Sequence, residues 1–469
     1  MPKPLANILE KRGYFWWQGE PISDDRFAPA TAIPGLLEID SNGLATLKLD
    51  GSLLQTEYPN GLPFNLDQII LEGRSIAGRI TEDRRQQVSL RNIEMVGNIL
   101  SNTTGTSEEY SATTCLIGAT PTHQDLGQLN FRKMSISLKG MEEWVFSNSI
   151  ESTLMDGDGV NYIHEVKYTV TPNRYEIDNG TIVLRSDVRY PIYFRPSLPK
   201  FKSRQISFEQ EEWLDYSPSE SATPKEMIEM FGRIEEFLAI LTGSYYCLDW
   251  PQLIFGEGND AIPCVLYFWR NVDKSSPPEM RNLWTIFPQV RDRFGALFSS
   301  WKKKRVEYGP GFYLYLGTLR SSTMYVEHRF VNLIWGLESF HRKRPPKSGK
   351  HAKTKRRLGD RIFEVFNSLP LGMEENALRG FAAKCANRRD EVSHFGGSQH
   401  GEDYGGFIQD IMRLTNAASY LYHAALLHEI GLDDETLRTC FNKSVLSFAI
   451  RRALQEVGLQ ISEENKGTL

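Results

Sequence analysis

From about residue 13 to 200, apolar and polar residues alternate with a period near two, in short runs broken by turn residues. The run GLLEIDSNGLATLKLDG holds Asn42-Gly43 between two such alternations, and NRYEIDNGTIVLRSDV holds Asn179-Gly180 in the same way. Asn-Gly accepts the positive φ of a tight turn, so each run reads as a hairpin. QVSLRNIEMVGN and FRKMSISLKG continue the period-two pattern. Together these runs predict a β-rich first domain, either a sandwich or an open barrel.

The pattern then changes. In ATPKEMIEMFGRIEEFLAILTGS, Thr223 fits an N-cap, Pro224 the first helical position and Glu226 the acceptor that closes a capping box. Met227, Phe231, Ile234, Leu238 and Leu241 follow on one helical face, and Gly243 suits the C-terminal cap. QLIF and CVLYFW read as two further strands, and the polar, Pro-containing NVDKSSPPEM (271–280) reads as a linker. Beyond it, SSTMYVEHRFVNLIWGLESFHR, RLGDRIFEVFNSL, MEENALRGFAAKCANRRDEVSH, YGGFIQDIMRLTNAASYLYHAALLHEI and DDETLRTCFNKSVLSFAIRRALQEVG repeat apolar residues at helical spacing. Five helices make a bundle. The expected organisation is an α+β chain: a β-rich N-terminal domain over 1–275, including a helix near 224–242, and an all-helical domain over 281–469.

Composition narrows the function classes. A chain of 469 residues with 40% hydrophobic residues can bury a large core. Its net charge of −5 excludes a uniformly basic nucleic-acid coat, so any such contact must come from a local cluster. Five scattered cysteines without a C-x-x-C pair argue against a disulfide framework or a structural zinc site, and for a reducing compartment. No signal-peptide core and no membrane-length apolar run is present, so a cytoplasmic protein with no membrane partner is expected.

One local cluster does stand out. HRKRPPKSGKHAKTKRR (341–357) carries Arg342, Lys343, Arg344, Lys347, Lys350, Lys353, Lys355, Arg356 and Arg357, with no acid among them. It reads as an arm for a nucleic-acid backbone, or equally as a solvated connection or a nuclear localisation signal.

A second stretch, NRRDEVSHFGG (387–397), should be a helix end, because Gly396 and Gly397 are natural stops. That puts His394 in a last turn, where the helix terminus favours an imidazolium able to act as a general acid. Arg389 lies five residues earlier, about 140° around a regular helix. The two converge if the helix end bends or if a second chain contributes. His and Arg without a metal-ligand cluster suit RNA cleavage by the RNA's own 2′-hydroxyl, in which a guanidinium stabilises the phosphorane. One imidazole serves poorly as both acid and base, and a symmetric dimer would supply two. The plainer reading is a surface arginine and a helix-capping histidine, since Arg344 and His351 match the same loose pattern.

The helical region, roughly 285–457, resembles a HEPN domain, whose ribonuclease members carry Arg, an Asn or Asp beside it, and then His at a helix end. The matching residues here are Arg389, Asp390 and His394, with Arg388 as a second arginine at suitable spacing. RGYFWWQGEP, IPGLLEIDSNGLATLKLDG and ISLKGMEEW resemble the β-rich N-terminal domain of the ApeA group of bacterial anti-phage proteins, which join such a domain to a C-terminal HEPN domain. The resemblance implies a metal-independent, cofactor-free endoribonuclease that halts growth of an infected cell by cutting tRNA or mRNA. It further implies a homodimer or higher homo-oligomer with Arg389 and His394 across the interface, Asp390 orienting them, and a phage-derived trigger sensed by the N-terminal domain. The competing class is a non-catalytic RNA-binding or scaffold protein with a partner-recognising β domain.

Other motifs have plainer readings. His400 sits in a glycine-rich loop, and His423 and His428 lack the spacing of a helical metal pair. GEGND (256–260) lacks a P-loop's lysine and hydroxyl and reads as a turn. Tyr14, Phe15, Trp16 and Trp17 read as an aromatic core in preference to a ligand platform.

Overall fold

The computed structural model describes residues 7–461 except 23–25, 55–70, 83–85, 102–104, 120–125, 127–128, 148–149, 157–161, 170, 190–208, 257–260, 272–275, 322, 345–355 and 395–402. Six antiparallel strands come first: β1 (Asn7–Trp17), β2 (Ile33–Asp40), β3 (Ala45–Leu49), β4 (Ser75–Ile80), β5 (Gln86–Ser101) and β6 (Gly105–Ala119). Their order β6-β3-β2-β1-β4-β5 is closed by pairing of β5 with β6, so the expected sandwich or open barrel is a closed six-stranded barrel. Closure is possible because β5 and β6 are long, and β5 takes a register shift between Met95 and Gly97.

The barrel interior follows the alternation in the sequence. Phe15, Leu37, Leu47, Ile76, Leu90 and Tyr110 form its buried core, and Trp16 and Trp17 are buried as expected while Tyr14 is partly exposed. The Asn42-Gly43 hairpin forms between β2 and β3, with Gly43 at φ 79 and the Asp40 carboxylate accepting from the Asn42 and Leu44 N–H groups at 2.9 Å. A Cβ at Gly43 would lie 2.4 Å from the Trp250 ring and from the Phe268 carbonyl oxygen, so only glycine fits there.

Past the barrel, the sheet continues through β7 (Lys133–Ser137), helix α1 (Glu142–Val145), the separate hairpin β8 (Ile150–Asp156) and β9 (Tyr162–Tyr168), then β10 (Asn173–Ile177), β11 (Gly180–Arg189) and β12 (Glu209–Pro218). In the second expected hairpin Ile177 pairs with Gly180, which centres the turn on Asp178-Asn179, one residue earlier than Asn179-Gly180. Helix α2 (Pro224–Thr242) has the expected capping box between Thr223 and Glu226, and Gly243 closes it at φ 78. Strands β13 (Gln252–Phe255) and β14 (Ile262–Phe268) then join β7 to β6 and complete a twelve-stranded sheet.

The rest is helical: α3 (Phe287–Val290), α4 (Phe294–Tyr308), α5 (Pro310–Arg320), α6 (Val326–Lys343), α7 (Leu358–Asn367), α8 (Glu375–His394), α9 (Tyr404–Ile430), α10 (Asp434–Asn442) and α11 (Ser447–Gln455). The chain is therefore α+β, with a β-rich N-terminal region and an all-helical C-terminal region. Two differences from the five expected helices stand out. Helices α3, α4 and α5 precede the first expected one, and the last expected helix is two, α10 and α11, broken after Asn442. One large core runs from β7, β12 and α2 into the helices, with Trp144, Phe237, Phe294, Trp301 and Tyr422 all fully buried. No disulfide links the five cysteines.

Candidate functional site at the end of α8

Helix α8 begins where the Glu374 carboxylate accepts from the Asn376 and Ala377 N–H groups at 3.0 and 2.7 Å, bonds that hold that carboxyl below its usual range. Its first turns bury Leu378, Phe381, Ala382 and Cys385, with Phe381 6.2 Å from Phe366 of α7. After Cys385 the composition turns charged, and the face that packed against α7 continues as arginines and acids beside α6 and α9.

Each arginine of the pair is held by a different neighbour. Arg388 donates from Nε to Asp410 of α9 at 2.8 Å and from Nη1 to Glu391 at 2.6 Å, and its guanidinium lies 5.3 Å from the Phe407 ring centre. Burial pushes the Asp410 carboxyl up, but hydrogen bonds from Lys384 and Arg388 more than offset this and keep it below the usual carboxylate range. Arg389 turns the other way. It donates to Asp390 Oδ1 at 2.7 Å and to Glu338 Oε2 of α6 at 3.4 Å, while its Nε is buried with no hydrogen-bond partner among the described residues. Glu338 also accepts from Arg342 at 2.5 Å and pairs with Arg361 of α7 at 3.7 Å, so one carboxylate gathers guanidinium groups from α6, α7 and α8.

Backbone helicity persists through His394, the last residue of α8, so positions 389 and 394 remain about 140° apart around the axis. The side chain of His394 lies outside the described residues, as do Gly396, Gly397 and His400. The structure thus brings Arg388, Arg389 and Asp390 to one helix end and ties Arg389 to α6.

The basic stretch is divided. Lys347, Lys350, Lys353 and Lys355 lie outside the described residues. Arg342 is paired with Glu338, and Arg356 donates to Glu364 at 2.5 Å. Arg344 donates to Glu429 of α9 at 3.2 Å and to the Ser368 hydroxyl at 3.0 Å, with its guanidinium 5.2 Å from the Phe340 ring centre. Arg357 contributes its backbone N–H to Asp360 at 3.3 Å, at the start of α7, and Lys343 is exposed. Arg344 therefore clamps the end of α6 to α9.

Sequence reasoning missed a neighbouring cavity. Met324, His328, Val331, Asn332 and Trp335, on and just before α6, and Val392 and Ser393 of α8 line an open cavity of about 480 Å³. The available signal was the spacing of Tyr325, His328 and Trp335 on the polar side of α6, where Tyr325 is 76% and Trp335 45% exposed. His423 and His428 behave as structural groups. His423 is fully buried, accepts or donates at 2.7 Å with the Tyr315 hydroxyl, and burial pulls its pKa down to about 3; His428 lies 3.3 Å from Asp434. Among the described residues no group of His, Cys, Asp or Glu is placed to hold a metal ion, and no helix is long and apolar enough to cross a membrane.

Residues 10–301 match ApeA N-terminal domain 1. The chain belongs to the ApeA family. The match takes in the barrel from within β1 onward, the rest of the sheet, α2 and the first turns of α4, and it identifies an ApeA-family defence protein. No curated protein and no solved structure matches the chain. The helix end with Arg388, Arg389 and Asp390 lies beyond the matched residues of this ApeA-family chain.

Proposed function

We propose that this ApeA-family protein is a metal-independent endoribonuclease of the HEPN type that acts in anti-phage defence. Arg389 and His394 are its catalytic pair, assembled across a homodimer, with RNA, such as tRNA or mRNA, as substrate and a phage-derived trigger acting through the N-terminal region. The observation that carries this reading is the pairing of an ApeA N-terminal region with an Arg-Asp pair at the end of a bundle helix. The Asp390 carboxylate on Arg389 supports an orienting role for it, and Arg388 is the alternative arginine. A base takes the proton of the RNA 2′-hydroxyl, the 2′-oxygen attacks the adjacent phosphorus, the 5′-oxygen leaves with a proton from an acid, and a 2′,3′-cyclic phosphate remains. Arg389 stabilises charge on the phosphorane. Helical geometry keeps positions 389 and 394 on different faces of α8, which favours a second copy as the source of the opposing group.

The test is incubation of the purified protein with total cellular RNA in EDTA, with and without lysate from phage-infected cells, beside Arg389→Ala and His394→Ala. Cleavage leaving cyclic phosphate ends, reduced about 10²- to 10⁴-fold in each variant, is expected. Wild-type cleavage by both variants overturns the site. A second reading, RNA binding without catalysis, is favoured by the ion pairs that engage both Arg388 and Arg389 as in an ordinary charged helix end. It requires that a folded, dimeric protein retain RNA in a steeply salt-dependent manner and never cut it.

A further inference from the structure

The cavity between α6 and the end of α8 opens beside Arg389. Val392 and Ser393 on one wall follow Arg389 by three and four residues and so share its face of α8. On α6, His328, Val331, Asn332 and Trp335 line the opposite wall at three- and four-residue spacing, and the next residue on that face, Glu338, holds Arg389. At about 480 Å³ the cavity falls within the size range of sites for small organic groups.

Its lining is mixed. Trp335, 45% exposed, lines the cavity with Val331, Val392 and Met324 as apolar neighbours. His328, Asn332 and Ser393 add donors and acceptors, and Asn332 spends one amide hydrogen on a weak 3.5 Å bond to Met324 Sδ. An apolar helix laid into this groove would bury those polar groups without partners, at a cost. A planar heterocycle with hydrogen-bonding edges satisfies both parts of the lining.

We propose that this cavity is a subsite for one unpaired nucleobase of the RNA, stacked on Trp335 and read at its edge by Asn332, His328 and Ser393, beside the phosphate engaged by Arg389. The identity of the ligand as RNA rests on the nuclease reading. The subsite binds single-stranded substrate in preference to duplex, because a paired base cannot enter it.

The test uses short 2′-O-methyl oligonucleotides, which lack the attacking hydroxyl, binding to the full chain at fixed low salt. Trp335→Ala should weaken binding about tenfold or more, the size of one lost base–aromatic stack, and Trp335→Phe should retain most of the affinity. An abasic oligonucleotide should bind the wild-type protein as weakly as a base-bearing one binds Trp335→Ala. Equal affinity of wild type and Trp335→Ala, or of abasic and base-bearing strands, overturns the subsite. So does a Trp335→Ala chain that loses its self-association in sedimentation while its per-chain affinity is unchanged, which would assign the groove to a second copy. Cleavage of ordinary RNA by the same proteins separates the two ideas. Trp335-dependent binding without cleavage leaves the subsite and sinks the nuclease, whereas cleavage with an unchanged KM in Trp335→Ala does the reverse.

Discussion

The barrel and the remainder of the molecule bury their apolar residues in different ways. Strands β1 to β6 enclose a core drawn from themselves and the adjoining Leu53 and Leu54, whereas β7, β12, α2, β13 and β14 share one continuous core with the helices. The change of texture from strands to helices is thus not where the core divides. Helix α2 shows how the second region is joined. Its neighbouring residues Glu235 and Glu236 take different partners: Glu235 accepts from Arg270 at 2.9 Å and from the Leu248 N–H at 3.0 Å, while Glu236 accepts from Arg305 of α4 and from Arg320 of α5 at 2.5 and 2.8 Å. The latter half of the sheet is thus packed directly against the helices, while the barrel keeps a core of its own and meets the second core through Leu116 of β6.

The sharpest way to break this comparison is to empty each core in turn. Phe294 packs against Trp144, Tyr175, Phe237 and Phe287, so Phe294→Ala should remove about 3–5 kcal/mol from the unit that includes the helices. Phe15→Ala should cost a similar amount, about 3–5 kcal/mol, but from the barrel alone. Calorimetry should show two transitions, each variant lowering one of them. A single transition lowered equally by both would mean that the barrel and the rest unfold as one.

Smaller effects test the joint. Burial raises the Glu235 carboxyl to about 7, against Arg270 and the Leu248 N–H, which pull it down. A carboxyl whose folded pKa lies above its unfolded value binds more protons when native, so its contribution is present below about 4.5 and is lost as pH rises through about 7. Urea midpoints measured across that window should fall with pH for the wild type relative to Glu235→Gln. Parallel curves would show that Glu235 titrates normally. Next in size, Arg344→Ala should destabilise the helical unit by about 1.5–3 kcal/mol through loss of the Glu429 bonds, whereas Lys343→Ala should stay within about 0.5 kcal/mol. Equal, negligible changes in denaturant midpoint would return Arg344 to the role of a free arm residue. Thr223→Ala should cost about 1 kcal/mol by removing the α2 cap, read in the same unfolding experiment, and no change would mean that the Glu226 carboxylate caps alone.

Local signals in the sequence translated well into elements. The period-two runs are strands, the Thr223-Pro224-Glu226 signature starts α2, and α9 spans the apolar-periodic run from Tyr404 to Ile430. Helix α4 went unread although Phe294, Leu297, Phe298 and Trp301 have helical spacing, because Lys302, Lys303, Lys304 and Arg305 interrupt its later turns. At the candidate site, Arg388, Arg389 and Asp390 were legible as a charged helix end, but the choice of Asp410 for one arginine and Glu338 for the other was not. Nor could the basic stretch reveal that Arg344 belongs to Glu429, a residue 85 positions away.

What the sequence determined by itself was therefore the set of elements, their polarity and the chemistry available at each end, since helix caps, turns and periodicity are properties of neighbouring residues. Closure of the barrel by β5 and β6, the fusion of half the sheet with the helices into one core, and the cavity of Trp335 and Val392 were decided only by tertiary structure. Those features depend on which distant faces exclude water together, and that is settled by packing among the elements.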